Sequence, residues 1–150
     1  TVGLTFSSVP STYTDLVLIF NGNADASGNG TRLRFNGDTA SNYSDTALRG
    51  NGTTASSVRE TSTTNGFVIT GYGYGSTVTL NEVTIVNIQN YANTTTYKTS
   101  LIRTGAAAAG LSAAVGLWRS TSAINTIYVY AENGYLLNGS NATLYGIAAA

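Results

Sequence analysis

Apolar and polar residues alternate with period two through most of this chain, the repeat of a strand whose two faces meet different surroundings. Val2, Leu4 and Phe6 share one face. Leu16, Leu18 and Phe20 share another, but Val17 and Ile19 stand opposite them, which predicts a strand buried on both sides. Leu33 and Phe35 alternate with Arg32 and Arg34, the pattern of a half-exposed strand. A short apolar run follows at Phe67, Val68 and Ile69. Val78 and Leu80, then Val83 and Ile85, then Val86 and Ile88 slip in phase, which predicts bulges or bends. Leu111, Ala113, Val115 and Leu117 lie on one face, and Ile127 and Val129 oppose Tyr128 and Tyr130. The last apolar stretch begins at Leu144 and Tyr145 and ends at Ile147.

Turn signals separate these runs. Asn-Gly occurs at Asn21, Asn29, Asn36, Asn51, Asn65, Asn133 and Asn138. Both residues tolerate positive φ, so the dipeptide favours tight turns between strands. Pro10 falls between the first two runs, where it removes no ladder hydrogen bond. Residues 39–48 place Tyr43, Ala47 and Leu48 at helix-compatible spacing, and Gly105 and Gly110 bracket four alanines in what reads as a loop. No stretch has linker composition and no internal repeat stands out. Together these features predict one all-β domain over residues 1–150, a jelly-roll-like antiparallel β-sandwich of about eight strands.

Composition narrows the function. Seven Lys and Arg balance seven Asp and Glu, so the chain has no electrostatic footprint for nucleic acid or an anionic membrane. No apolar run approaches the roughly 20 residues of a spanning helix. Residues 1–8 alternate and lack a basic start, so they read as a strand, not a signal peptide, and the missing initiator Met leaves room for an upstream piece. Without cysteine there is neither a disulfide nor a thiolate metal site, and stability rests on packing. A near-zero net charge also favours association, which suits an assembled particle.

Candidate chemistry is sparse. Histidine is absent, which removes the commonest general base and any Ser-His-Asp or Cys-His arrangement. Asp38 and Asp45 fall in one region and could serve as a glycosidase pair if they flanked a cleft about 5–9.5 Å apart. The turn chemistry of Asn36-Gly37-Asp38 favours a structural role instead. Asn23, Asp25 and Ser27 alternate as in a fragment of a calcium loop, but one carboxylate is too few, and a solvated turn is the better reading. No cofactor or metal is therefore expected. Tyr72 and Tyr74, in Gly-Tyr-Gly-Tyr-Gly, could stack on a sugar or a neighbouring subunit, or simply tip a hairpin. Trp118 closes an apolar strand, where core packing competes with ligand stacking. Six Asn-x-Ser/Thr sequons, at Asn29, Asn42, Asn51, Asn93, Asn138 and Asn141, follow from a composition rich in Asn, Ser and Thr.

The segment Phe6-Ser7-Ser8-Val9-Pro10-Ser11-Thr12-Tyr13-Thr14-Asp15-Leu16-Val17-Leu18 resembles the start of a group of tailed-phage virion proteins common in aquatic phages. Three later stretches are similar to the same group, in the same order. They are Arg34-Phe35-Asn36-Gly37-Asp38 with Asn42-Tyr43-Ser44, Asn90-Tyr91-Ala92-Asn93 with Tyr97-Lys98, and Ala142-Thr143-Leu144-Tyr145-Gly146-Ile147. The group comprises head-decoration, fibre and tail-associated domains and carries no catalytic residues to transfer. The resemblance implies a non-enzymatic structural protein of the virion, foremost a capsid decoration or cement protein on the major capsid protein or other virion proteins. The rivals are a receptor- or glycan-binding fibre or tail domain that meets a host surface glycan, and a sugar-cleaving enzyme using Asp38 and Asp45.

The sequence also points to self-association as a closed homo-oligomer. Lys and Glu are scarce and Tyr is abundant, as at protein interfaces. If Ile127 and Val129 face the core, Tyr128 and Tyr130 are left for a neighbour. Ala148, Ala149 and Ala150 are too small and uncharged to shield a sheet edge. A trimer is the form implied by the phage resemblance.

Overall fold

In the computed structural model of the chain, residues 2–25, 30–70 and 81–149 are described. They form eleven strands and no helix: β1 (Gly3–Phe6), β2 (Asp15–Gly22), β3 (Thr31–Phe35), β4 (Tyr43–Gly50), β5 (Ala55–Thr63), β6 (Phe67–Val68), β7 (Glu82–Ile88), β8 (Lys98–Ala106), β9 (Gly110–Trp118), β10 (Ile127–Ala131) and β11 (Asn141–Ile147). Two antiparallel sheets result, β1-β10-β3-β6 and β11-β2-β7-β8-β9-β4-β5. The chain changes sheet between β1 and β2, β2 and β3, β3 and β4, β5 and β6, β6 and β7, β9 and β10, and β10 and β11. With β8, β9 and β11 set aside, the orders are β1-β10-β3-β6 and β2-β7-β4-β5, the interleaved Greek keys of a jelly roll. The β8–β9 hairpin is inserted between β7 and β4, and β11 is added outside β2. These additions turn the expected eight strands into eleven.

Alternation explains the core. Leu16, Leu18 and Phe20 of β2, Val86 and Ile88 of β7, Ile102 of β8 and Trp118 of β9 face inward from the larger sheet. Leu33, Phe35, Phe67, Ile127 and Val129 meet them from the smaller one. Phe67 stands edge-on to Phe35 and Tyr43, at 5.6 and 5.2 Å between ring centres.

Several expectations are corrected. Residues 39–48 hold no helix: Tyr43 starts β4, and Tyr43, Asp45 and Ala47 alternate inward. Val17 and Ile19 are only half-buried, so β2 is not enclosed on both sides. Val78 and Leu80 lie outside the described residues, and the phase slip from Val83 and Ile85 to Val86 and Ile88 needs no bulge within β7, whose pairing to β2 and β8 is regular. Its inward row simply includes Thr84, whose hydroxyl meets Ile69 O at 3.0 Å and Thr104 Oγ1 at 2.7 Å. Among the described residues the strand register shifts between β4 and β5, at Tyr43 and Asp45. Arg32 is not half-exposed but buried, with Glu60 at 2.8 Å and Glu132 at 2.9 Å.

Of the Asn-Gly pairs, Asn36-Gly37 has positive φ at both residues and closes a turn from Phe35 O to Asp38 N, as in type I′. That turn carries the chain from one sheet to the other. Asn21-Gly22 lies inside β2 and makes no turn, and Asn29 lies outside the described residues.

Candidate functional site: the outer face of the larger sheet

Strand β9 shows how the candidate site arises. Its inward row is Ser112, Ala114, Gly116 and Trp118, mostly small residues. A Cβ at Gly116 would lie 2.7 Å from the Phe67 ring, so the sheets approach closely here. The larger row, Leu111, Ala113, Val115 and Leu117, points outward. Pairing continues it across the sheet. One rung runs Ile19, Ile85, Arg103, Ala113, Leu48, and the next runs Val17, Asn87, Leu101, Val115, Thr46.

This face carries most of the large apolar side chains exposed among the described residues: Leu48, Val83, Leu101, Leu111, Val115, Tyr145 and Ile147, with Leu48 at 67% and Leu111 at 64% exposure. Exposed apolar area gathered on one face marks an interaction surface. Two shallow depressions cross it. One of about 430 Å³ is lined by Thr46, Arg59, Val115, Leu117 and Arg119. The other, of about 350 Å³, is lined by Val83, Ile85, Arg103, Leu111 and Ala113. Arg59, Arg103 and Arg119 give the face positive charge, and Asp15 at its margin accepts a 2.6 Å hydrogen bond from Asn90 N.

The residues singled out from sequence are not brought together. Trp118 is 2% exposed, stacked on Tyr43 at 6.4 Å and edge-on to Phe35 at 5.5 Å. It is a core residue, and its expected contact role is corrected accordingly. Tyr128 and Tyr130 lie on the outer face of the smaller sheet and stack at 4.9 Å, nearly parallel. Tyr130 is 9% exposed; Arg34 lies over its ring and donates to its hydroxyl at 2.8 Å, and that hydroxyl donates to Asn65 O. Tyr128 is the more open member of the stack and leans over Gly3. Tyr72 and Tyr74 lie outside the described residues.

Asp38 accepts hydrogen bonds from Ala40 N, Asn42 Nδ2 and Trp118 Nε1, at 2.8, 2.8 and 2.7 Å. Burial pushes its carboxyl up, but these donors and the Arg34 charge outweigh burial and hold it below the ordinary carboxylate value. Asp45 faces the interior of β4 at 2% exposure. In the suggested calcium loop, Asn23 Oδ1 accepts from Ala24 N and Asp25 Oδ1 from Tyr135 N, both at 2.8 Å, while Ser27 lies outside the described residues. Among the described residues no three His, Cys, Asp or Glu side chains gather to hold a metal.

Loop residues of the first three stretches behind the phage resemblance converge at one end of the sandwich, while the fourth stretch forms β11. Tyr91 donates its hydroxyl to Pro10 O, and Ile124 N donates to Tyr91 O at 2.9 Å. Asn36 Oδ1 accepts from Asn125 N and Thr126 N, and Asn36 Nδ2 donates to Ala123 O. Arg119 N donates to Asn42 O at 2.8 Å. Lys98, fully buried, donates to Thr96 O and Thr121 O, and burial lowers its pKa. These bonds knit the β1–β2, β3–β4, β7–β8 and β9–β10 connections together. Comparison with protein-family models, curated proteins and solved structures finds no match.

Proposed function

We propose that the chain is a non-enzymatic structural protein of a phage virion, a capsid decoration or cement protein that seats the outer face of its seven-stranded sheet on the shell. The observation carrying this reading is the concentration of exposed Leu48, Leu101, Leu111 and Val115 on one sheet face. A face this apolar, studded with Arg59, Arg103 and Arg119, suits a partner surface that is apolar with acidic groups at its margin. The motif resemblance supports the virion setting. Several of its residues build the loop lattice at one end, and Val17, Tyr145 and Ile147 of the same stretches lie on the sheet face. Self-association belongs to the same proposal; the three-fold form that the resemblance implies is not part of it.

A glycan-binding tip is the less favoured reading, because Trp118 is enclosed in the core and Tyr130 is covered by its own chain. A glycosidase is disfavoured because both Asp38 oxygens are occupied in holding the β3–β4 connection. Co-expression with the shell protein tests the proposal. Wild-type chain is expected to be incorporated into particles, and Leu101→Glu with Val115→Glu to be excluded while remaining folded. Equal incorporation of both, or specific retention of the wild type on a glycan array, would overturn it.

A further inference from the structure

Among the described residues each sheet has two edges, and three of these four are blunted. In the smaller sheet β6 has 2 residues and β1 has 4, too short to template another strand. In the larger sheet β5 carries Arg59 and Glu60 and has a register shift against β4. Short length, edge charge and irregular register are the devices that keep sheet edges from pairing. The fourth edge, β11, has none of them. It runs 7 residues from Asn141 to Ile147 in unbroken register with β2, without proline or charge. No residue after Glu132 is charged.

A second observation lies beneath the same edge. A cavity of about 300 Å³ is lined by Phe6, Val9, Pro10, Tyr13, Leu144 and Gly146, among others. Gly146 has no side chain because the Tyr13 ring lies against it. The inward row of β11 is Ala142, Leu144 and Gly146, so a strand added beside it would direct its own inward row at this hollow.

We propose that β11 pairs antiparallel with β11 of a second copy across a two-fold axis at Leu144. A residue-centred two-fold keeps the alternation of both strands in phase, so inward meets inward and outward meets outward. Leu144 of the two copies then closes over the cavities, and Thr143 and Tyr145 pair on the outer face. No like charges are opposed. The outer apolar row of β11, Tyr145 and Ile147, continues across the junction, so dimerisation enlarges the face that meets the shell. This pairing does not rest on the virion reading, and it makes a two-fold unit rather than the trimer implied by the resemblance.

The absence of cysteine makes the test clean. Thr143→Cys, Leu144→Cys and Tyr145→Cys are made singly, with Ser57→Cys on β5 as control, and oxidised. A disulfide-linked dimer is expected from the residue at or beside the axis and none from Ser57→Cys. Light scattering on the wild type is expected to give a dimer. Thr143→Lys with Tyr145→Lys is expected to raise its dissociation constant at least about tenfold, with an unchanged circular dichroism spectrum. If that double variant fails to fold, the crosslinks decide. A wild-type monomer or trimer, or a dimer that crosslinks at Ser57→Cys and at none of the β11 positions, would overturn the proposal. A dimer that never joins a particle would overturn the virion reading and leave this one standing.

Discussion

Asp38 is a turn residue by sequence and a tryptophan anchor by structure. Its Oδ2 takes the Trp118 indole N–H at 2.7 Å, across a sequence distance no local pattern reveals. Removing that acceptor leaves an indole N–H and an amide N–H without partners. Asp38→Ala should therefore cost about 1–3 kcal/mol, read from urea unfolding. The carboxyl is held below its ordinary value, so an unfolding chain takes up the proton first as pH falls. Its stabilising contribution is present above about pH 4 and is lost as pH drops through the folded value. The Asp38→Ala variant should accordingly show a flatter acid limb. At the other limit, burial raises the phenols of Tyr43 and Tyr130. Their contribution is full below the ordinary tyrosine value of about 10 and is lost at higher pH. Tyr43→Phe should thus lose stability less steeply than the wild type between about pH 10 and 12, by circular dichroism. The role of Trp118 was half legible: closing an apolar strand made it a core candidate, but its polar partner Asp38 comes from a distant turn. Tyr43 was legible only as a residue at helix-compatible spacing, and its hydroxyl bonds the backbone of Phe35 at the end of β3.

At the scale of the strand, periodicity identified which residues share a face but not which face turns inward. Leu111, Ala113, Val115 and Leu117 are the more apolar row of β9 and lie outside, while the inward row is mostly small and has, at Gly116, no room for a side chain against the Phe67 ring. Residues 39–48 misled for a related reason. Tyr43, Ala47 and Leu48 fit helical spacing, but Tyr43 and Ala47 also fit a strand, and β9 and β5 were waiting on either side to pair with it. Two predictions follow from the facing. Leu48→Ser and Leu111→Ser should change folding stability by no more than about 0.5 kcal/mol, whereas Ile102→Ala should cost about 2–5 kcal/mol. Gly116→Ala should destabilise by about 1–3 kcal/mol, since the added methyl meets the Phe67 ring and the opposing sheet must yield. Thermal or urea unfolding of the four variants checks the ranking.

For the whole molecule, the sandwich was legible from alternation and turn residues, and the jelly-roll order agrees with it. The inserted β8–β9 hairpin and the outer strand β11 were not. Their patterning matches that of any other strand, and only pairing partners distinguish a core strand from an addition. The site was less legible still, because a functional face made of leucine and valine has the signature of a core face until both sides of the sheet are seen. If the outer face of the seven-stranded sheet is the surface that meets a larger assembly, a subunit-resolved map of the particle will show it. Leu48, Leu101, Leu111 and Val115 are expected to be covered by the shell protein, with Arg59 and Arg103 near its acidic side chains. A map with that face open to solvent and the chain attached through another surface would contradict it.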